Sequence, residues 1–251
     1  MPTNINAAFR IREILESVVG NPDNEQVLKV WAKLFEIQEP NQHRRGVAVS
    51  RVLADLHDEV ELVRSEMNRL GYSPGLYDGA LDKCNRVFAG HAIMGQWNSL
   101  KQHITADVRI ALGFCSEILP NEENQIDLSD LQDLRALAAE LRAQLEKSEL
   151  SARAKAVVEK HLAKIEEALA SYAAVGVKGL EEAMQSAYGE VITNEAVFEE
   201  AKGSTELGML SKLWKKTKTV IDGVTTINKG LGSAQGIAEK GRQLIEYIQN
   251  L

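Results

Sequence analysis

The chain has 251 residues, 44% of them hydrophobic, which is enough to bury one large core or two small ones and excludes wholesale disorder. A formal charge of −7 favours solubility and argues against duplex nucleic acid as a partner, because such binding needs a basic surface that displaces phosphate counterions. Aromatic content is only 5% and apolar residues recur at steps of three and four. The expected class is therefore all-α: a multi-helix bundle built of helical hairpins, with one long heptad-patterned helix and a C-terminal amphipathic segment.

The opening stretch, MPTNINAAFRIREILE, lacks a basic region followed by an apolar one, so no secretory signal is expected and a cytoplasmic location is. A first helix is predicted over residues 4–19, stopped by Gly20, and a second from Asn21-Pro22, a capping residue followed by proline at the first helical position. Its buried face would carry Val27, Val30, Trp31, Leu34 and Phe35. Over residues 49–70, Val49, Leu53, Leu56, Val60, Val63, Met67 and Leu70 alternate in steps of four and three, the narrow seam of a coiled coil. Such a seam needs a partner helix, from the same chain or from a second copy.

After the turn Gly71-Tyr72-Ser73-Pro74-Gly75, a shorter helix holding Cys84 is predicted, then a longer one over residues 97–119. The latter aligns Trp97, Leu100, Ile104, Val108, Ala111, Cys115 and Ile118 at helical spacing. The longest run without a charged side chain, Val87 to Leu100, has 14 residues. A simple spanning helix needs about 20. Cys84 and Cys115 are the only cysteines, and they read as buried free thiols in a reducing compartment.

All five prolines fall at or before position 120, so a boundary is expected at Pro120-Asn-Glu-Glu-Asn. It divides an N-terminal helical domain, 1–120, from a helical hairpin region, 121–202, and a basic tail, 203–251. In the hairpin region Ser129 is the expected cap, with Gln132 three residues on. Leu131, Leu134, Ala138, Leu141 and Leu145 form one seam and Val158, Leu162, Ile165, Leu169 and Tyr172 another, joined by the polar turn Lys147-Ser148-Glu149-Leu150-Ser151. That pattern predicts an antiparallel hairpin with facing seams. It also resembles helical segments of uncharacterised bacterial proteins, a likeness that carries no functional residue. A further helix follows Gly179, and another is predicted over residues 194–202.

The tail differs from the rest. Residues 203–251 carry seven basic and four acidic side chains, a net +3, which leaves −10 for the remainder. Charge divided in this way points to an interaction with an acidic partner or surface, or between the two parts. Lys212, Trp214, Lys215, Lys216 and Lys218 form a basic patch beside an apolar stripe and are the predicted surface or partner-binding residues; on an anionic membrane the indole would sit at headgroup level. Glycines interrupt the stripe, and Gly232 and Gly236, four apart, are the predicted site of close helix packing.

Chemistry-bearing motifs are scarce. His43, His57, His91, His103 and His161 form no pair at the three- or four-residue spacing that puts two metal ligands on one helical face, so no metal is expected. Gly230-Leu-Gly232-Ser-Ala-Gln-Gly236 lacks a clear preceding strand, and no small-molecule cofactor is expected. Adjacent carboxylates such as Glu166-Glu167 splay around a helix and do not converge. Arg86-Val-Phe-Ala-Gly-His91 resembles the Arg-x4–6-His motif of HEPN-type helical ribonucleases, although Val87 stands where that family often carries a polar residue. The resemblance implies Arg86 and His91 as catalytic residues acting at the RNA phosphate and the 2′-hydroxyl; Arg51 and His57 fit the same loose spacing.

Three functions are thus expected, in order: a non-enzymatic interaction or scaffold protein whose basic C-terminal segment docks on a partner, on a second copy or on an anionic membrane; a membrane-active bacterial effector of immunity or toxin type, with that segment restrained; and a HEPN-like ribonuclease.

Overall fold

The computed structural model describes residues 4–224 together with Gln243, Glu246 and Tyr247. Among them the chain is all-helical: eleven α-helices, two short 3-10 turns and no strand. They fall into two compact units. The first holds the residues up to Glu122 with Ala170–Gly176, and the second holds Glu123–Leu169 with the residues from Val177 onward.

The first unit begins with α1, Ala7–Val18, whose N-cap Asn6 accepts from the Phe9 amide. Asn6 also donates through Nδ2 to the carbonyls of Ser116 and Leu119, so the capping residue ties the helix start to a distant part of the chain. Helix α2 is Val27–Leu34. It starts later than the Asn21-Pro22 signal predicts, because Val27 and Leu28 donate to the carbonyls of Gly95 and Ile93, and Trp97 donates to that of Glu25. Those long-range bonds hold the preceding residues out of the helix. At its C-terminus Ile37 donates to Ala32 and Glu36 takes φ 54°, a left-handed cap usually filled by glycine.

Helix α3, Gln42–Arg69, is capped by Asn41 and buries Val49, Leu53, Leu56, Val60, Val63 and Met67 as the seam predicts. Leu70 lies at its end and is 40% exposed. The seam is covered inside the unit by α1, α2 and α4, Asp78–Val87. Beyond α4, the expected single helix over 97–119 is two: α5, Asn98–Lys101, and α6, Ala106–Ile118. The first run stops at Lys101, and Thr105, in extended backbone, precedes the second, yet Trp97, Leu100, Ile104 and Val108 all stay buried. Periodicity survives the break, which is why the sequence pattern hides it. In this core Trp31 stacks on Phe35 at 5.6 Å and meets Trp97 edge-on at 5.4 Å.

A buried ionic knot fastens the unit. Arg10 donates from Nη2 to Glu59 on α3 and to Glu122, each at 2.7 Å, and from Nε to the Ala174 carbonyl. The Arg10 and Glu59 side chains are 7% and 3% exposed.

The second unit contains α7, Leu128–Glu146; α8, Ala152–Val175, up to Leu169; α9, Val177–Thr193; α10, Glu195–Glu200; and α11, Thr205–Val224. The cap of α7 is Asp127, which accepts from the Ser129 amide, and not Ser129 itself. An aspartate there both satisfies a free amide and opposes the helix dipole. The first predicted seam is buried and so is the second up to Leu169, with Tyr172 half-buried, but the helix packed most closely on α7 is α11, with α11 also against α9. Gln144 donates to Glu206 at one end of the α7–α11 pair, and Lys216 reaches Asp130 and Asp133 at the other, so the two run antiparallel. Residues 205–224 of the expected basic tail therefore form a core helix of this unit.

Candidate functional site

Helix α11 forms because an apolar stripe runs along one side of a lysine-rich sequence. Leu210, Leu213, Trp214, Thr217, Val220, Ile221 and Val224 are buried, while Lys212 and Lys215 are exposed. The structure divides the predicted basic patch. Trp214, expected at the surface, is 0% exposed, and that expectation is corrected: the indole fills the interior of the second unit. Lys216 is held by Asp130 at 2.7 Å and Asp133 at 2.8 Å, and these two hydrogen bonds raise its ammonium above the ordinary lysine value. Lys218 pairs with Asp222 on the same helix. Lys212 and Lys215 remain as the solvent-facing cations of the patch. Gly232 and Gly236 lie outside the described residues.

Arg86 and His91 are not brought into a helical interface. Arg86 is exposed in the last turn of α4, and His91 is exposed in the 3-10 turn Gly90–Ala92 beyond it. Arg51 and His57 are both exposed on α3. Among the described residues, no three His, Cys, Asp or Glu side chains converge as metal ligands. No described helix is long and apolar enough to cross a membrane.

The most unusual polar group is His161, on α8. It is 0% exposed, and among the described residues neither ring nitrogen has a hydrogen-bond partner. Phe198 of α10 meets the imidazole edge-on at 5.4 Å and Trp214 of α11 at 6.0 Å; the Trp214 indole N–H is likewise unpartnered. Glu190 of α9 approaches Nε2 to 3.6 Å, within ion-pair range but too long for a hydrogen bond. Burial pushes the imidazole down to about 4, with Lys164 and Lys160 adding to the depression and Glu190 opposing it. Nothing local in the sequence marks the burial of this histidine, which has no partner at metal-ligand spacing. The only hint is its place beside Leu162 in the α8 seam.

Compared with protein families, curated proteins and solved structures, the chain matches none.

Proposed function

We propose that the protein is a non-enzymatic helical interaction protein that docks through the outer face of α11 on an acidic partner. The observation that carries this reading is the division of the α11 lysines. Trp214 and Lys216 are committed to the second unit, whereas Lys212 and Lys215 stand exposed to solvent. With Trp214 inside, α11 offers a membrane no interfacial aromatic anchor, which favours a protein surface over a bilayer.

A photo-crosslinking residue at Lys215 tests the proposal in cells of the source organism. A discrete adduct that Lys212→Glu abolishes supports docking; no adduct, or one indifferent to the charge reversal, refutes it. Flotation of the purified chain with anionic and with neutral vesicles distinguishes a lipid surface from a protein.

One observation favours a second reading, the membrane-active effector with a restrained segment. Acidic α7 grips basic α11 through Lys216, Asp130 and Asp133, an arrangement suited to holding that helix until it is released. Asp130→Asn with Asp133→Asn would loosen the grip. Dye release from anionic vesicles by that variant and not by the parent would support this reading, and equal inactivity of both would remove it.

A further inference from the structure

We propose that His161 makes the second unit an acid-responsive latch, in which protonation of the caged imidazole unseats the α10 and α11 rings packed on it. The proposal does not depend on what α11 docks against.

A neutral imidazole can sit among Phe198 and Trp214 because edge-to-face contact between rings is favourable and the residue carries no charge. An imidazolium in the same place has two N–H donors and a full charge at 0% exposure and, among the described residues, no acceptor within hydrogen-bond distance. Its nearby counter-charge is shared: Glu190 Oε1 accepts from Lys160 at 2.7 Å and from Lys164 at 2.6 Å, both on α8 with His161 itself, while Oε2 stands 3.6 Å from the imidazole Nε2. From α10 and α11 the facing groups are the rings of Phe198 and Trp214. Behind Phe198 stands Tyr247, 6.4 Å away between centroids, whose phenol is raised by burial first and by Glu195 and Glu199 next. Among the described residues the cage thus offers Nδ1 no acceptor, and Nε2 only Glu190 Oε2, which would have to move closer to take a hydrogen bond.

The response has a definite size. An imidazole near 4 when packed and near 6.5 when released binds its proton preferentially in the open form. Between pH 7 and pH 5 the opening equilibrium of the latch should rise about 20-fold. Because α8, α9, α10 and α11 all meet at the ring or its carboxylate neighbour, the opening is local to the second unit.

Hydrogen exchange of the full chain at pH 7 and pH 5, corrected for the intrinsic pH dependence of exchange, reads this directly. Peptides from α10 and α11 should lose about 20-fold in protection at pH 5, while peptides from α3 in the first unit should not. His161→Gln and, independently, His161→Met should flatten the α11 response. Equal pH dependence in the parent and in either folded variant overturns the proposal, as does undiminished α11 protection in the parent. Should both variants fail to fold, NMR titration of the parent decides: a His161 ring signal titrating well below the other histidines, with the Trp214 indole signal shifting along with it, sustains the latch. An ordinary His161 midpoint, or an indole signal that does not follow, defeats it.

Discussion

Replacing Arg10 with methionine probes the ionic knot of the first unit. The substitution keeps much of the side-chain length and removes the guanidinium that Glu59 meets at 2.7 Å with only 3% of the Glu59 side chain exposed. Breaking a buried pair from one side costs about 3–5 kcal/mol, because the surviving charge stays in a poorly hydrated place. Glu122 is 34% exposed, so water compensates it, and the expected loss sits near the low end, about 3 kcal/mol. The Ala174 carbonyl also loses its Nε donor, adding about 1 kcal/mol. Removing both charges with Arg10→Met and Glu59→Met should recover much of the loss, since methionine packs where a charge must be neutralised. Urea unfolding at pH 7 is the assay, in a Trp214→Phe background so that Trp31 and Trp97 report the first unit. A single-variant loss below about 1 kcal/mol, or a double variant whose loss equals the sum of the singles, would refute the idea that the two charges depend on each other.

Four further outcomes follow from the same packing. Trp214→Ala should cost about 3–5 kcal/mol in the second unit, read as an early loss of helical ellipticity on heating; a loss under about 1 kcal/mol would mean the indole is not a core residue. Glu36→Gly should stabilise by about 1 kcal/mol, measured as a raised urea midpoint, because φ 54° at this helix cap strains any residue with a Cβ. Burial pushes the Cys84 thiol up to about 12 and that of Cys115 to about 11, so a thiol reagent at pH 7 should react only as fast as the first unit opens. His161 has its folded value depressed from 6.5 to about 4, so between those values the unfolded chain holds a proton that the folded chain refuses. Stability contributed by this residue must fall as pH drops from 6.5 toward 4, by about 3 kcal/mol in total, and urea midpoints of parent and His161→Gln should diverge in that window.

How much was legible in the sequence depended on whether the deciding contact was local. Whereas α1, expected from residue 4, starts at Ala7 behind its Asn6 cap, the buried positions of α3 read directly, since a period of three and four is a property of neighbouring residues. The start of α2 did not, because its first amides are claimed by Gly95 and Ile93, far along the chain. The break at Thr105 was hidden by apolar spacing that both helices share with one core. Pairing of the leucine seams was also out of reach: a seam states that a helix has a partner, and α7 found its closest one in α11, 86 positions away at the Asp130–Lys216 contact.

The same reasoning explains why Trp214 was misplaced. A stripe of Leu210, Leu213, Trp214 and Ile221 opposite Lys212 and Lys215 satisfies a bilayer surface and a neighbouring helix equally well, because both present an apolar plane with polar surroundings. What separates them is the fate of the lysines beside the stripe. On an anionic membrane every lysine gains from facing phosphates; against another helix, those at the margin need carboxylates at matching height. Lys216 has them, at Asp130 and Asp133, one helical turn apart on α7. Lys212 and Lys215 face solvent. The charge divided between tail and scaffold is therefore partly spent inside the second unit, while Lys212 and Lys215 face outward.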